Sequence, residues 1–164
     1  MPENEAVRDR EVQRTGVLKL RDTEFLRSQC VSLRRYLGMD WCGFGIVHED
    51  MNNVIASSGG KLGIYHRRTA FSSYVIYDPS RVFYVLDAKN DERFAGNPFV
   101  DDGLIMFYAG VAVKSSDGLA LGVLSVTSKT PRSSFSVSER DYLGRCANHM
   151  SSTLNTALAN AGST

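Results

Sequence analysis

FYAGVAVKSSDGLALGVLSVT, residues 107–127, has the pattern of a complete β-hairpin. Its two apolar arms, Phe107 to Val113 and Leu119 to Thr127, have the length and residue types of buried strands. The turn between them, Ser115-Ser116-Asp117-Gly118, contains an Asp-Gly pair, which readily adopts the positive φ angles of a tight hairpin. We therefore expect two neighbouring antiparallel strands here, with the remaining elements arranged around them.

Three further strand candidates precede this hairpin. Trp41 to Val47 is an apolar run, and Val54 to Ser58 follows it after a polar turn, so the two predict another hairpin. Val82 to Leu86 is a third run, rich in β-branched and aromatic residues. The five runs together predict a central antiparallel sheet.

Two connections between these strands differ in character. Gly59, Gly60 and Gly63 interrupt the strand pattern, and a short helix is then predicted from Thr69 to Ile76. The second connection, Asp87 to Gly103, is long and polar. Loops of that length inside a compact domain are usually functional, so we expect this one to enclose a site.

A long helix is predicted on either side of the strands. From Thr23 to Leu37 apolar residues recur at spacings of three and four, and Gly38 suits the left-handed end of a helix. Ser136 and Glu139 have the spacing of a capping box, which marks the start of a C-terminal helix. The apolar stripe of that helix consists of Leu143, Cys146, Ala147, Met150, Leu154, Ala157 and Leu158.

The order of these elements predicts one α+β domain, with both long helices on one face of the sheet. At 164 residues and 43% hydrophobic content, the chain is suited to a single domain with a substantial core. Residues 1–15 are expected to be a charged lead-in segment, either a frayed tail or a solvent-exposed helix. The domain is expected to occupy 16–160, and residues 161–164, which have no apolar anchor, are expected to fray.

Composition excludes several classes of partner and site. A net charge of +1 gives no global attraction to nucleic acid or anionic lipid, and no apolar run approaches the length of a membrane span. The three cysteines form no C-x-x-C pair, so no metal site is expected. Gly43 and Gly45 lack the third glycine of a dinucleotide-binding motif. The acidic N-terminus is unlike an export signal, and we expect a cytoplasmic protein.

The block VLDAKNDERFAGNPFV, residues 85–100, resembles the central region of GAF domains from bacterial and fungal sensor histidine kinases and related signalling proteins. Residues 107–111 and 118–126 continue the resemblance, and Thr130-Pro131-Arg132 before the capped helix completes it. The resemblance spans about residues 16–158. It implies a PAS-related α/β sandwich and a role in signal transduction such as two-component systems. It also implies a ligand-pocket region of loop and helix on the sheet face opposite the terminal helices.

The resemblance also implies a ligand pocket between the sheet and the stretch from Asp87 to Gly103. Arg93 offers a rigid fork of donors for a carboxylate or phosphate, and Asn97 can both donate and accept. The alternative is that both residues only hold the loop in place, with Asp87 or Asp91 paired to Arg93. The candidate ligand-binding residues are Arg93, Phe94, Asn97, Asp87, Phe71, Tyr74, Tyr108 and Ser125. The sequence identifies neither the ligand nor a cofactor.

Three functional hypotheses follow. The first is a sensor in which a small molecule shifts the terminal helices, which also form a homodimer near Leu154 and Leu158 and pass the change to a signalling partner. The second is an interaction module whose pocket is filled by its own side chains. The third is a thiol enzyme like the free methionine sulfoxide reductases, which needs two close thiols beside the pocket. Cys30, Cys42 and Cys146 are instead expected in the core, so no catalytic residue is assigned and an enzyme is not expected.

Overall fold

An antiparallel sheet of six strands forms the centre of the computed structural model, which describes residues 5–20, 23–49, 51–59, 63–66 (backbone) and 71–162. The strands are β1 (Trp41–His48), β2 (Met51–Ser57), β3 (Gly63–His66), β4 (Phe83–Val85), β5 (Phe107–Lys114) and β6 (Ala120–Ser128). Their order across the sheet is β3-β2-β1-β6-β5-β4, and every neighbouring pair is antiparallel. The α+β prediction and the five predicted strands are confirmed.

The strand β3 was not predicted from the sequence, and the interpretation of this segment as an open connection is wrong. Gly63 begins the strand opposite Val54, and the pairing continues to His66 opposite Met51. Backbone hydrogen bonds to β2 therefore outweigh the low strand propensity of glycine, which local sequence patterns do not reveal.

The helices are α1 (Glu5–Thr15), α2 (Glu24–Leu37), α3 (Ser72–Tyr77), α4 (Pro98–Asp101) and α5 (Val137–Gly162). Gly38 ends α2 with a φ of 66°, as predicted. The capping box of α5 is also confirmed: the Glu139 N–H donates to Ser136 Oγ and the Ser136 N–H donates to Glu139 Oε1, each at 3.1 Å. Because α5 continues to Gly162, residues 161 and 162 are helical rather than frayed, and residues 163–164 lie outside the described ranges.

The long stretch from Asp87 to Gly103 is more ordered than a polar loop. It contains two 3-10 turns, at residues 88–90 and 92–94, followed by α4. Phe94 and Val100 are buried within it. The stretch therefore packs on the sheet as a wall of short elements.

Two hydrophobic clusters lie on opposite sides of the sheet. The helix face, the side covered by α2 and α5, is the larger, and its members include Leu26, Leu33, Phe44, Ile46, Leu124, Leu143 and Met150. The pocket face, on the other side, carries α3 and the stretch from Asp87 to Gly103, with Val47, Phe71, Val75, Phe94, Tyr108 and Val123. Both long helices therefore pack on one face, as predicted. Within the described ranges, no helix combines the length and apolar character needed to cross a bilayer.

The apolar stripe of α5 is used inside the chain. Leu154 is fully buried in the helix-face cluster, and Leu158 packs partly against that cluster. Val12 of α1 belongs to the same cluster. The length of the stripe is therefore explained by contacts within one copy of the chain, including the N-terminal helix.

The charged N-terminal segment is a helix, but it is not solvent-exposed as expected. Arg8 is only 4% exposed; its guanidinium donates to the carbonyl of Val47 and pairs with Glu5 at 2.8 Å. Glu11 is 5% exposed and accepts hydrogen bonds from Ser115 Oγ and Arg14 Nε, each at 2.6 Å. Ion pairing and hydrogen bonding thus allow a charged segment with few apolar residues to dock on the sheet.

Glu11 should make the stability of this docking depend on pH. Its hydrogen bond from Arg14, reinforced by that from Ser115, lowers the pKa of Glu11 from the ordinary value of 4.5. Because the folded-state pKa is lowered, the carboxylate stabilises the fold above the unfolded-state pKa, and the contribution is lost as the pH falls through the folded-state pKa. We expect Glu11→Gln to reduce the unfolding free energy at neutral pH by about 1.5 to 3 kcal/mol. Urea denaturation at neutral pH and below about pH 4 should show that difference shrinking in acid.

The matched control is Glu24→Gln. Glu24 pairs with Arg27 at 3.2 Å on α2, and both side chains are more than half exposed. Such exposed pairs contribute at most about 0.5 kcal/mol, so this variant should unfold almost like the parent. Equal losses in the two variants would contradict a special role for the buried Glu11.

Candidate functional site

The pocket face of the sheet has a floor of glycines on which larger side chains lie flat. A Cβ atom at any of three glycines would collide with the side chain above it: Trp41 over Gly43, Asn52 over Gly45 and Tyr108 over Gly110. Ser125 lies between two of these glycines, since it pairs with Gly43 on β1 and with Gly110 on β5. Because these positions have no side chain, flat groups can lie directly against the backbone of the sheet.

Two polar atoms on elements of the pocket face, β2 and α3, are buried without a hydrogen-bond partner in the described part of the chain. They are Oδ1 of Asn52 and Oγ of Ser72, and Ser72, the first residue of α3, is only 3% exposed. An unpaired buried polar group costs about 1 to 3 kcal/mol, and native proteins usually satisfy such groups. These atoms are therefore the first candidates for contact with a bound molecule.

Aromatic side chains cover the middle of the floor. The ring of Phe71 stacks on Phe94 at 4.2 Å and on Tyr108 at 4.7 Å between centroids. The hydroxyl groups of Tyr108 and Ser125 are 2.7 Å apart and buried. Burial raises the pKa of Tyr108 well above its usual range, so the phenol stays neutral. The structure thus brings these four predicted site residues together.

Arg93 lies at the outer edge of this aromatic cluster. Its guanidinium makes a two-pronged pair with Asp91, Nε to Oδ1 at 3.0 Å and Nη2 to Oδ2 at 2.6 Å. It also lies over the rings of Tyr74, Phe83 and Phe94, 5.3 to 5.7 Å from their centroids. The hydrogen bond from Arg93 lowers the pKa of Asp91. Both groups are therefore engaged in holding the loop against the rings.

Asn97 and Asp87 also make local contacts. Asn97 is 7% exposed, and its Oδ1 accepts from the Phe99 N–H at 2.9 Å, which caps α4. Asp87 accepts a hydrogen bond from Nδ2 of Asn90 at 2.7 Å. Both side chains therefore shape the stretch that covers the pocket face.

Sequence reasoning did not select Asn52, Ser72 or the glycine floor. One signal was available: residues two apart in a strand point to the same face, so Gly43 and Gly45 mark one low strip of the sheet. Asn52 offered no such signal, because its place above Gly45 follows from the pairing of Asn52 with Val47 on the neighbouring strand.

The three cysteines lie away from the pocket face. Cys30 and Cys42 are fully buried in the helix-face cluster, and Cys146 on α5 packs partly against it. Burial, followed by the neighbouring thiol of Cys30, raises the pKa of Cys42 well above its usual value, and burial also raises the pKa of Cys146. In the described ranges, no group of three or more His, Cys, Asp or Glu residues is placed to hold a metal ion.

Similar proteins place this architecture in a known group. A family model described as GAF domain matches residues 23–154. The chain is 32% identical over 141 residues to a cyclic di-GMP phosphodiesterase of Pseudomonas aeruginosa; the match covers 85% of this chain and 24% of that protein. The chain thus spans about a quarter of the length of this relative.

Solved structures show the same fold at low sequence identity. The GAF domain of a phosphoenolpyruvate-protein phosphotransferase from Coxiella burnetii is 18% identical, with a TM-score of 0.68 over 97% of each chain. A free methionine-R-sulfoxide reductase from Neisseria meningitidis, in complex with its substrate, is 18% identical, with a TM-score of 0.68 over 98% of this chain and 95% of that one. The family match covers well over half of the chain, which therefore belongs to the GAF domains, a family of signalling and sensory domains.

Proposed function

We propose that this GAF domain is a sensor that binds a small molecule on the pocket face and relays the binding through its terminal helices. The observation that carries the proposal is a pair of buried atoms on the pocket face, Asn52 Oδ1 and Ser72 Oγ, which have no hydrogen-bond partner among the described residues. A ligand that donates to these atoms would remove the cost of leaving them unpaired.

The lining suggests the chemical class of the ligand. Its described side chains are uncharged: an indole (Trp41), an amide (Asn52), a phenol (Tyr108) and two hydroxyls (Ser72 and Ser125). Aromatic surface with a few polar groups is the usual make-up of a small-molecule site. We infer a flat, uncharged, hydrogen-bonding molecule of the size of a nucleobase.

β1 supplies a route from the ligand to the helices. Gly45 and Val47 belong to its pocket face, whereas Phe44 and Ile46 pack in the helix-face cluster with α2 and α5. Because the sheet is a single layer, a displacement of this strand on one side changes packing on the other. The signal would be received by a catalytic domain or by a separate partner protein. The matched relative, a cyclic di-GMP phosphodiesterase, is about four times as long as the region that it shares with this chain.

A homodimer through α2 and α5 is part of this proposal. Leu154 is buried inside the chain, so the contact would use other residues. Tyr36 on α2 stacks on Tyr142 of α5 at 3.9 Å, and Tyr36 is 68% exposed. Tyrosine is enriched at protein interfaces, and Tyr36 exposes its ring beside the junction of the two helices.

Particular contacts bear on the two alternative functions, a self-filled interaction module and a thiol enzyme. The stack of Phe71 on Tyr108 favours a module whose pocket is filled by its own side chains. Thiol chemistry would need cysteines beside the bound molecule, and Cys30 and Cys42 lie across the sheet from the pocket face. The filled pocket is therefore the stronger alternative.

The variant Ser72→Ala tests whether the Ser72 hydroxyl binds a ligand or only contributes to the stability of the fold. Removing an unpartnered buried hydroxyl should leave the thermal midpoint of the free domain unchanged or raise it, since no hydrogen bond is lost. The same change should weaken binding of any neutral heterocycle that stabilises the parent in a thermal-shift screen. Ser125→Ala is the contrast: it removes the bond to Tyr108 and should destabilise the free domain by about 1 kcal/mol.

The screen has two outcomes for the proposal. Stabilisation of the parent by a heterocycle, reduced in Ser72→Ala, supports the sensor. If no heterocycle stabilises the parent, or if Ser72→Ala retains full binding, the ligand site is contradicted and the filled module is favoured.

Arg93→Ala tests the other side of the pocket. Loss of the pair with Asp91 and of the ring contacts should lower the unfolding free energy by about 1 to 2 kcal/mol, because both sets of contacts are partly exposed. Binding of the heterocycle should be unchanged in titration calorimetry. A variant with the parent's stability but no binding would instead make Arg93 a ligand contact.

A further inference from the structure

An open groove at the edge of the sheet carries three arginines. It has a volume of about 660 Å³ and lies between β4 and the first half of α5. Its lining includes Arg81, Arg140, Arg145, Tyr84, Asp141 and Asn148. We call it the arginine groove. It arises because β4 is an edge strand and α5 packs mainly against the neighbouring β5, which leaves the helix face of β4 open beside the helix.

The positive charge in this groove is only partly offset by the acidic residues that the structure describes. In the described ranges, none of the three guanidinium groups has a carboxylate within 4.0 Å. Asp141 is the one acidic residue in the lining, so the groove carries a net charge of +2. Arg14, Arg27 and Arg93 differ in this respect, because each pairs with a nearby acid.

One of the three arginines is held in place before any ligand arrives. Nη1 of Arg140 donates to the carbonyl of Phe135 at 2.6 Å and to Oη of Tyr84 at 3.2 Å. Its guanidinium also lies 5.3 Å from the centroid of the Tyr84 ring. Within the described ranges, Nε and Nη2 of Arg140 have no hydrogen-bond partner, so donors with a fixed position remain available.

We propose that the arginine groove binds a small phosphorylated molecule of about nucleotide size. Guanidinium groups match phosphate oxygens with paired hydrogen bonds, and the volume lies within the usual range for small-molecule sites. Arg81 precedes β4, and Arg140 and Arg145 belong to α5. A bound phosphate group therefore joins the sheet edge to the long terminal helix and stabilises their contact. This site is across the sheet from the pocket face and does not depend on a ligand there.

The test uses the whole chain and two probes, inorganic pyrophosphate and ADP, in a low-salt NMR titration of backbone amides. Saturable shifts are expected at residues 81–84 and 140–148, with little change at Asn52 and Ser72. Arg81→Gln with Arg145→Gln should weaken binding by about tenfold or more, since each removes a charge-assisted hydrogen-bond donor. Neither side chain has a hydrogen bond or ion pair in the described ranges, so the double variant should keep the parent's unfolding midpoint.

Arg27→Gln with Arg35→Gln is the matched control, because it removes the same charge from exposed positions on α2. It should bind both probes like the parent. Three results would overturn the proposal: no saturable shift at millimolar probe, equal weakening in the two double variants, or binding of an acidic peptide in place of both probes. A negative result here would leave the outcome of the Ser72→Ala test unchanged, so the two sites are judged separately.

Discussion

β1 and β6 pair at the centre of the sheet, and at Gly122 a Cβ atom would collide with the backbone carbonyl of Gly45. This pairing runs from Trp41 opposite Thr127 to Ile46 opposite Gly122. Residues on one side of it build the core beneath α2 and α5, and residues on the other side build the pocket face. A larger residue at Gly122 would separate the two strands and disturb both cores together.

Charge as well as apolar surface holds the outer elements to that centre. Arg8 and Glu11 are buried at the ends of the central strands, where their partners are a strand carbonyl and the hydroxyl of Ser115 in the β5–β6 hairpin. Buried charges are tolerated only when they are paired and hydrogen-bonded, and these two are both. The N-terminal helix is therefore placed by specific contacts, and it brings Val12 to the same cluster as Leu154.

The two candidate sites are built from different kinds of residue. The pocket face is uncharged at its centre, with polar atoms of Asn52 and Ser72 left without partners in the described ranges. The arginine groove at the edge of the helix face is strongly charged. As we propose, the pocket face suits a flat neutral molecule and the arginine groove suits a phosphorylated one.

Several features of the fold were determined by sequence patterns of local origin. Helical spacing, the capping box at Ser136, the left-handed Gly38 and the Asp-Gly turn each depend on neighbours within a few residues, and the structure confirms the helices and the hairpin. The candidate ligand-binding residues chosen from the sequence included Phe71, Phe94, Tyr108 and Ser125, and the structure brings these four together.

Tertiary contacts decided the rest, because they join residues far apart in the chain. Strand β3 exists through its pairing with β2, and α1 is docked by Arg8 and Glu11 on distant strands. Arg93 was singled out for its chemistry, but only packing could reveal that Asp91 and three rings already engage it. Asn52 becomes a candidate site residue only because strand pairing lays its amide over Gly45, a glycine seven positions earlier whose missing side chain makes room for it.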